Sequence, residues 1–131
     1  MTTYQYPIVG MRFRPPATEV VNALWVNCRL QLMAEPMNPY DSNAIAVWVD
    51  LDSAYSNEQS HKKLSKIRNS NFVGQKFFQL GYLPKEVAAH LRRRGFPTGH
   101  EVDAKFYYTF GSNVPHAKFD FEEQNGQNGQ Q

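Results

Sequence analysis

Glu35-Pro36-Met37-Asn38-Pro39-Tyr40-Asp41-Ser42-Asn43-Ala44-Ile45-Ala46-Val47-Trp48-Val49 divides into two kinds of sequence. The first half is turn chemistry. Pro36 and Pro39 fix φ and remove two backbone donors, while Asn38, Asp41 and Asn43 can bond their own backbone and tolerate left-handed conformations. The second half alternates with period two, Ile45, Val47 and Val49 on one face and Ala44, Ala46 and Trp48 on the other, the pattern of a half-buried strand. A rigid polar loop therefore feeds directly into a core strand. Tyr40 and Asp41 sit at its apex, where a strand-anchored loop can present an aromatic face beside a carboxylate. A structural reading stands beside this one: Tyr40 as a lid on a barrel end, Asp41 as a turn cap.

Upstream, Leu24–Ala34 reads as a strand with Cys28, Leu30, Leu32 and Ala34 on one face. Its antiparallel pairing with the strand after the loop puts Asn38–Asp41 at the connecting end. Trp25 suits core or rim. Further upstream, Tyr6–Phe13 reads as a first strand, with Gly10 marking a bulge or a close approach of another backbone or a ligand. Arg12-Phe13-Arg14 then brings two guanidiniums around an aromatic before Pro15-Pro16. That triplet suits base stacking with phosphate contact, and equally an edge strand with solvated arginines. The segment Ala17–Asn22 is open between a loop and a single helical turn.

Downstream, Asp52–Asn71 is polar and basic, with Lys62, Lys63, Lys66 and Arg68; Leu64 and Ile67 support a short helix whose basic side faces water. A connection of this length inside a small domain is uncommon. Phe72–Tyr82 gives another strand. Leu83-Pro84 opens a helix, with Pro at its first position and an apolar stripe of Val87, Ala88 and Leu91. Gly95 and Phe96 suit a Schellman-type stop, and Arg92-Arg93-Arg94 fits the negative end of the helix dipole. Glu101–Phe110 alternates again, and Ala117–Phe121 adds a short last strand. The sum is a mainly β (α+β) fold: a small OB-like β-barrel or rolled sheet of five or six strands with one or two helices. Residues 1–121 form one domain with a basic excursion at about 52–71. Residues 122–131, rich in Gln, Asn and Gly, form a tail expected to be disordered.

The 131 residues carry a net charge of +2, but unevenly. Residues 1–60 hold three basic and six acidic side chains, residues 61–94 nine basic and only Glu86, and residues 95–131 two lysines against five acids. A basic centre between acidic ends points to a polyanion-facing surface. No apolar run approaches the ~20 residues needed to span a bilayer, and the N-terminus lacks a signal-peptide pattern, so a soluble, cytoplasmic protein without membrane contact is expected. The single Cys28 is read as a small core residue. His61, His90, His100 and His116 lack metal-ligand spacing, and Asp50 with Asp52 is a weak pair. With no phosphate-binding Gly-Lys-Ser/Thr loop and no nucleophile elbow, neither a cofactor, a metal nor an enzyme is expected.

The order Ile8-Val9-Gly10, then Glu35-Pro36 with Asn38-Pro39-Tyr40-Asp41 and Asn43-Ala44-Ile45-Ala46-Val47, then Gly81-Tyr82-Leu83-Pro84 with Glu86 and Ala88, resembles the HIRAN domain from about Ile8 to Leu91. The chain looks like a stand-alone copy of the bacterial or phage type. The resemblance implies an OB-like barrel that, in fork-remodelling SWI/SNF-type ATPases, captures the 3′ end of single-stranded DNA. By the same resemblance Arg12 and Phe13 match the Arg–aromatic pair that holds the strand end. Tyr40 and Asp41 match a pair whose ring stacks a terminal base and whose carboxylate accepts from the terminal hydroxyl. Lys85 is implied as a phosphate contact and Tyr82 as a lesser member of the site; Arg14 of the Arg–aromatic–Arg triplet and Asn38 of the motif loop complete the candidate nucleic-acid-binding residues. Phe106, Tyr107 and Phe110 are candidates for a later aromatic contact. The sequence departs from helicase-linked members in having Phe13 for tyrosine, a longer basic excursion and no accompanying ATPase, RING or nuclease segment. The expected function is non-catalytic binding of single-stranded DNA at a free 3′-hydroxyl in a repair, replication or phage–host setting, with a helicase or nuclease as candidate protein partner. The alternative is a protein-interaction adaptor aimed at a DNA-processing enzyme.

Overall fold

The motif loop closes a hairpin. β2 (Arg29–Ala34) and β3 (Ile45–Asp50) pair antiparallel from Leu30 opposite Val49 to Ala34 opposite Ile45. The ladder is extended by the Glu35 N–H donating to the Ala44 carbonyl at 2.8 Å. This places Asn38–Asp41 at the connecting end, as the alternation required. β3 is more deeply set than expected: Ile45, Ala46, Val47 and Val49 are all fully buried, so both of its faces are covered and only Trp48 is half-exposed. Ala46, paired with Met33 and Tyr82, is a small buried residue on the face opposite Ile45, Val47 and Val49.

The computed structural model describes residues 1–14, 16–24, 26–52, 58–71, 76–108 and 114–124. Around the hairpin, β1 (Thr2–Pro7), β4 (Phe77–Tyr82), β5 (Val102–Tyr108) and β6 (Pro115–Phe121) complete one antiparallel sheet in the order β1-β6-β5-β2-β3-β4. Three helices accompany it, α1 (Ala17–Ala23), α2 (Glu58–Asn71) and α3 (Lys85–Arg93). This is the small, mainly β, OB-like fold expected, with one helix more. The sheet does not close into a continuous barrel. Beyond β1 the chain leaves β6 and meets the far edge through one bridge, Val9 to Tyr82, with N–H···O distances of 2.8 and 2.9 Å.

That bridge is possible because residue 81 is glycine. A Cβ there would sit 2.2 Å from the Val9 carbonyl oxygen. The close backbone approach expected at Gly10 is thus at Gly81; Gly10 instead adopts φ +81° and turns the chain into a 3-10 segment, Met11–Phe13. The first strand is consequently Thr2–Pro7 and not Tyr6–Phe13. A register shift opposite Val47 and Trp48 makes Leu80 an extra residue in β4, and Leu80 is fully buried. A bulge of this kind increases local twist and re-aims the strand end that carries Tyr82.

Ala17, Val20 and Val21 lie buried at helical spacing, so the undecided segment is the helix α1. Within the basic excursion, α2 turns Leu64 into the core, with Ile67 packed against it, and leaves Lys62, Lys63 and Lys66 exposed. Pro84 is the cap residue before α3. The helix stops as the Schellman geometry predicts: the Phe96 N–H reaches the Leu91 carbonyl at 3.0 Å, both side chains are buried, and Arg92 Nη1 donates to the Phe96 carbonyl at 2.7 Å.

Glu123 and Gln124, assigned by sequence to the tail, pack back on this helix end. The Gln124 N–H donates to the Arg94 carbonyl at 2.8 Å, and the Glu123 carboxylate accepts from the Tyr4 hydroxyl and meets His90 Nε2 at 3.0 Å and Arg94 Nε at 3.6 Å. The Tyr4 hydrogen bond, with His90 and Arg94 adding to it against some desolvation, holds the Glu123 carboxyl below the usual carboxylate range. The remaining tail (125–131), Trp25 and Phe110 lie outside the described residues. Cys28 is buried and forms no disulfide, as expected. Asp50 caps its own turn, accepting from the Asp52 N–H at 3.0 Å.

Candidate nucleic-acid interface

Asn38 organises the motif loop with both ends of its amide. Its Oδ1 accepts from the Tyr40 N–H at 2.9 Å and the Asp41 N–H at 3.1 Å, an Asx-type turn that satisfies two successive backbone donors at the apex of the loop. Its Nδ2 donates to Glu35 Oε1 at 2.9 Å. Only one orientation of the amide satisfies these partners, since carboxylates accept and backbone N–H groups donate. Asp41 repeats the device, its Oδ1 accepting from the Asn43 N–H at 2.9 Å. With four lone-pair directions available to the carboxylate, one such bond leaves acceptor capacity for a ligand.

Glu35 then ties the loop to the rest of the molecule. The Tyr82 hydroxyl donates to Glu35 Oε1 at 2.9 Å and accepts from Arg14 Nη2 at 3.2 Å, with the Asn38 amide farther off at 3.5 Å. The Arg14 guanidinium also lies 5.4 Å from the centre of the Tyr82 ring. One network, Arg14–Tyr82–Glu35–Asn38, therefore joins the segment after Gly10, the end of β4 and the motif loop. Three parts of the sequence that share no local contact are fixed against each other by it.

Around this network stand exposed aromatics. Tyr40 is 94% exposed and Phe13 73% exposed, values at which neither ring contributes to the core. The lid reading of Tyr40 is excluded by that exposure. Arg12 and Phe13 do not flank a strand: on the 3-10 turn the Arg12 guanidinium lies over the Phe13 ring, 4.7 Å from its centre. The triplet is thus split, Arg12 covering Phe13 and Arg14 turned to Tyr82. Lys85 is exposed at the start of α3, three positions beyond Tyr82.

The structure thus brings Arg14, Asn38 and Tyr82 together, hangs Tyr40 and Asp41 from Asn38, and leaves Arg12–Phe13 and Lys85 as separate exposed groups. Glu35 is the member that sequence reasoning passed over. Its place at the hairpin's last backbone bond, directly before the Pro-rich turn, is the signal that marks it. Of the later aromatics, Phe106 is fully buried and is a core residue, while Tyr107 is half-exposed on the outer face of β5. No cluster of His, Cys, Asp or Glu able to hold a metal occurs among the described residues. Among them, too, no helix is long and apolar enough to cross a membrane.

No curated protein and no solved structure matches the chain significantly. The family model of the HIRAN domain matches residues 1–94, a span that contains every member of the network. HIRAN domains are DNA-binding modules, and a surface of exposed rings beside arginines over a pre-set polar network is suited to that task. By this match over most of its length, the chain belongs to the HIRAN family.

Proposed function

We propose that this chain is a non-catalytic module that binds single-stranded DNA and prefers a free 3′-hydroxyl end. The observation that carries the reading is the Arg14–Tyr82–Glu35–Asn38 network, which holds Tyr40 and Asp41 in a fixed loop while leaving the Tyr40 ring exposed. A loop ordered before the ligand arrives loses less entropy on binding. Tyr40 and Phe13 stack on bases, each worth ~1–3 kcal/mol with little sequence preference. Arg12, Arg14 and Lys85 contact phosphates. Asp41 accepts a hydrogen bond from the terminal hydroxyl, and the same carboxylate repels a terminal phosphate. Glu35 and Tyr82 act as positioning residues for these groups. A cytoplasmic role in DNA repair, replication or a phage–host encounter, alongside a helicase or nuclease, fits such a module.

Fluorescence anisotropy on a labelled single strand tests the reading. A free 3′-hydroxyl, a 3′-phosphate and a blunt duplex end are compared for wild type, Asp41→Ala and Asp41→Asn. Preference for the free hydroxyl that both substitutions remove supports end recognition. Equal, salt-sensitive binding to all three reduces the site to a basic surface. Absence of binding to any of them favours the adaptor reading, with the exposed lysines of α2 as the surface to delete next.

A further inference from the structure

The outer face of the sheet carries a charge arrangement that the site above does not use. Arg29 on β2 stands directly opposite Lys105 on β5, and Lys105 directly opposite Lys118 on β6. Three cations therefore occupy adjacent positions in one row across three strands, with Gln5 of β1 next in line. Like charges in directly opposed positions destabilise a sheet. Among the described residues the neighbouring row relieves this at Arg29, whose Nη2 reaches Asp103 Oδ1 at 3.1 Å, while Asp120 accepts from the Thr3 hydroxyl. Lys105 is exposed, and Lys118 is drawn 5.1 Å from the centre of the Tyr107 ring. These residues line a groove of about 730 Å³, with Thr3, Arg29, Asp103, Lys105, Lys118 and Asp120 among its walls.

We infer that this groove is a second contact for nucleic acid, holding the phosphodiester backbone of a single strand. Side chains on one face of a sheet run side by side and do not converge, and successive members of the row lie about 4.8 Å apart from strand to strand. A linear row of charges complements a linear polyanion; a single small anion would need the three heads to meet. The half-exposed Tyr107 ring borders the row one register step away, opposite His116, and offers a π face to a base. The partner class, DNA, rests on the reading above; the place of contact does not rest on end recognition.

The test uses the full chain and 3′-hydroxyl single strands of about four and about sixteen nucleotides, the range that OB-type folds cover. Wild type is compared with Lys105→Gln/Lys118→Gln and with Lys105→Arg/Lys118→Arg. Removing two phosphate contacts lowers the salt slope of the long strand by about 1.4, at about 0.7 per contact. Its affinity falls with it, the short strand binds as before, and the arginine pair restores the slope. Melting temperatures of both variants, equal to or above wild type, establish that the fold is intact. A long-strand slope unchanged in the glutamine pair overturns the inference. Equal wild-type binding to a 3′-hydroxyl and a 3′-phosphate strand of the longer length, with the slope still falling in the glutamine pair, refutes end recognition and leaves the groove standing.

Discussion

Gly81→Ala is the sharpest perturbation of the geometry. The new Cβ would lie 2.2 Å from the Val9 carbonyl oxygen and 3.3 Å from Ile8 Cγ2. The first contact is with backbone, which cannot rotate away as a side-chain end would. Gly81 is not among the positive-φ glycines, so the alanine backbone itself is unstrained and the whole cost comes from this approach. Relief requires opening the Val9–Tyr82 bridge, whose two backbone hydrogen bonds contribute about 1–3 kcal/mol together. Displacing buried Ile8 adds to that, for a total of about 2–4 kcal/mol. Urea denaturation read by tryptophan fluorescence measures it directly. The same opening lets the Met11–Phe13 turn drift from Tyr82, so DNA affinity falls under conditions where the variant is still folded. A loss of stability under about 0.5 kcal/mol, within the range of an ordinary surface change, refutes the argument that this seam is held by a glycine.

Asn38→Asp removes the donor to Glu35 and sets two carboxylates together; stability drops by about 1–2 kcal/mol and DNA binding weakens, both checked by denaturation and anisotropy at neutral pH. Arg12→Glu weakens binding to all sequences alike and flattens the salt dependence, and an unchanged isotherm would remove Arg12 from the interface. Because the Glu123 carboxyl is held below its ordinary value of 4.5 in the folded state, its contribution is present above that value and lost as pH falls through the depressed folded pKa. Denaturation at neutral and at acid pH therefore shows a smaller difference in Glu123→Gln than in wild type.

Much of this molecule is legible in its sequence where one local rule dominates. The β2–β3 hairpin follows from alternation on both sides of a Pro- and Asn-rich turn, and the end of α3 follows from Gly95-Phe96 after Leu91. What was not legible depends on distant partners. β1 pairs with a strand whose Asp120 lies 117 positions from Thr3, so nothing near Thr2–Pro7 announces it beyond the Thr-Thr-Tyr-Gln-Tyr alternation. The site divides in the same way. Asn38, Tyr40 and Asp41 are identified by their own loop, whereas the meeting of Arg14, Tyr82 and Glu35 exists only once the bridge brings two edges together. The helix α1 was readable from Ala17, Val20 and Val21; the prolines before it obscured the pattern.

The strand order has a consequence for how the chain can be made. The segment that carries the family likeness ends at residue 94, yet β5 (Val102–Tyr108) and β6 (Pro115–Phe121) lie inside the sheet between β1 and β2. A fragment cut at 94 would leave β1 without its ladder and expose the β2 edge, since the sheet is completed by β6, which ends at Phe121. During synthesis β1 is made before the other strands of this sheet yet is among the last to find its partner, since every β1 ladder bond waits for β6. Non-local pairing of this kind folds slowly and leaves strand edges open to other chains in the interval.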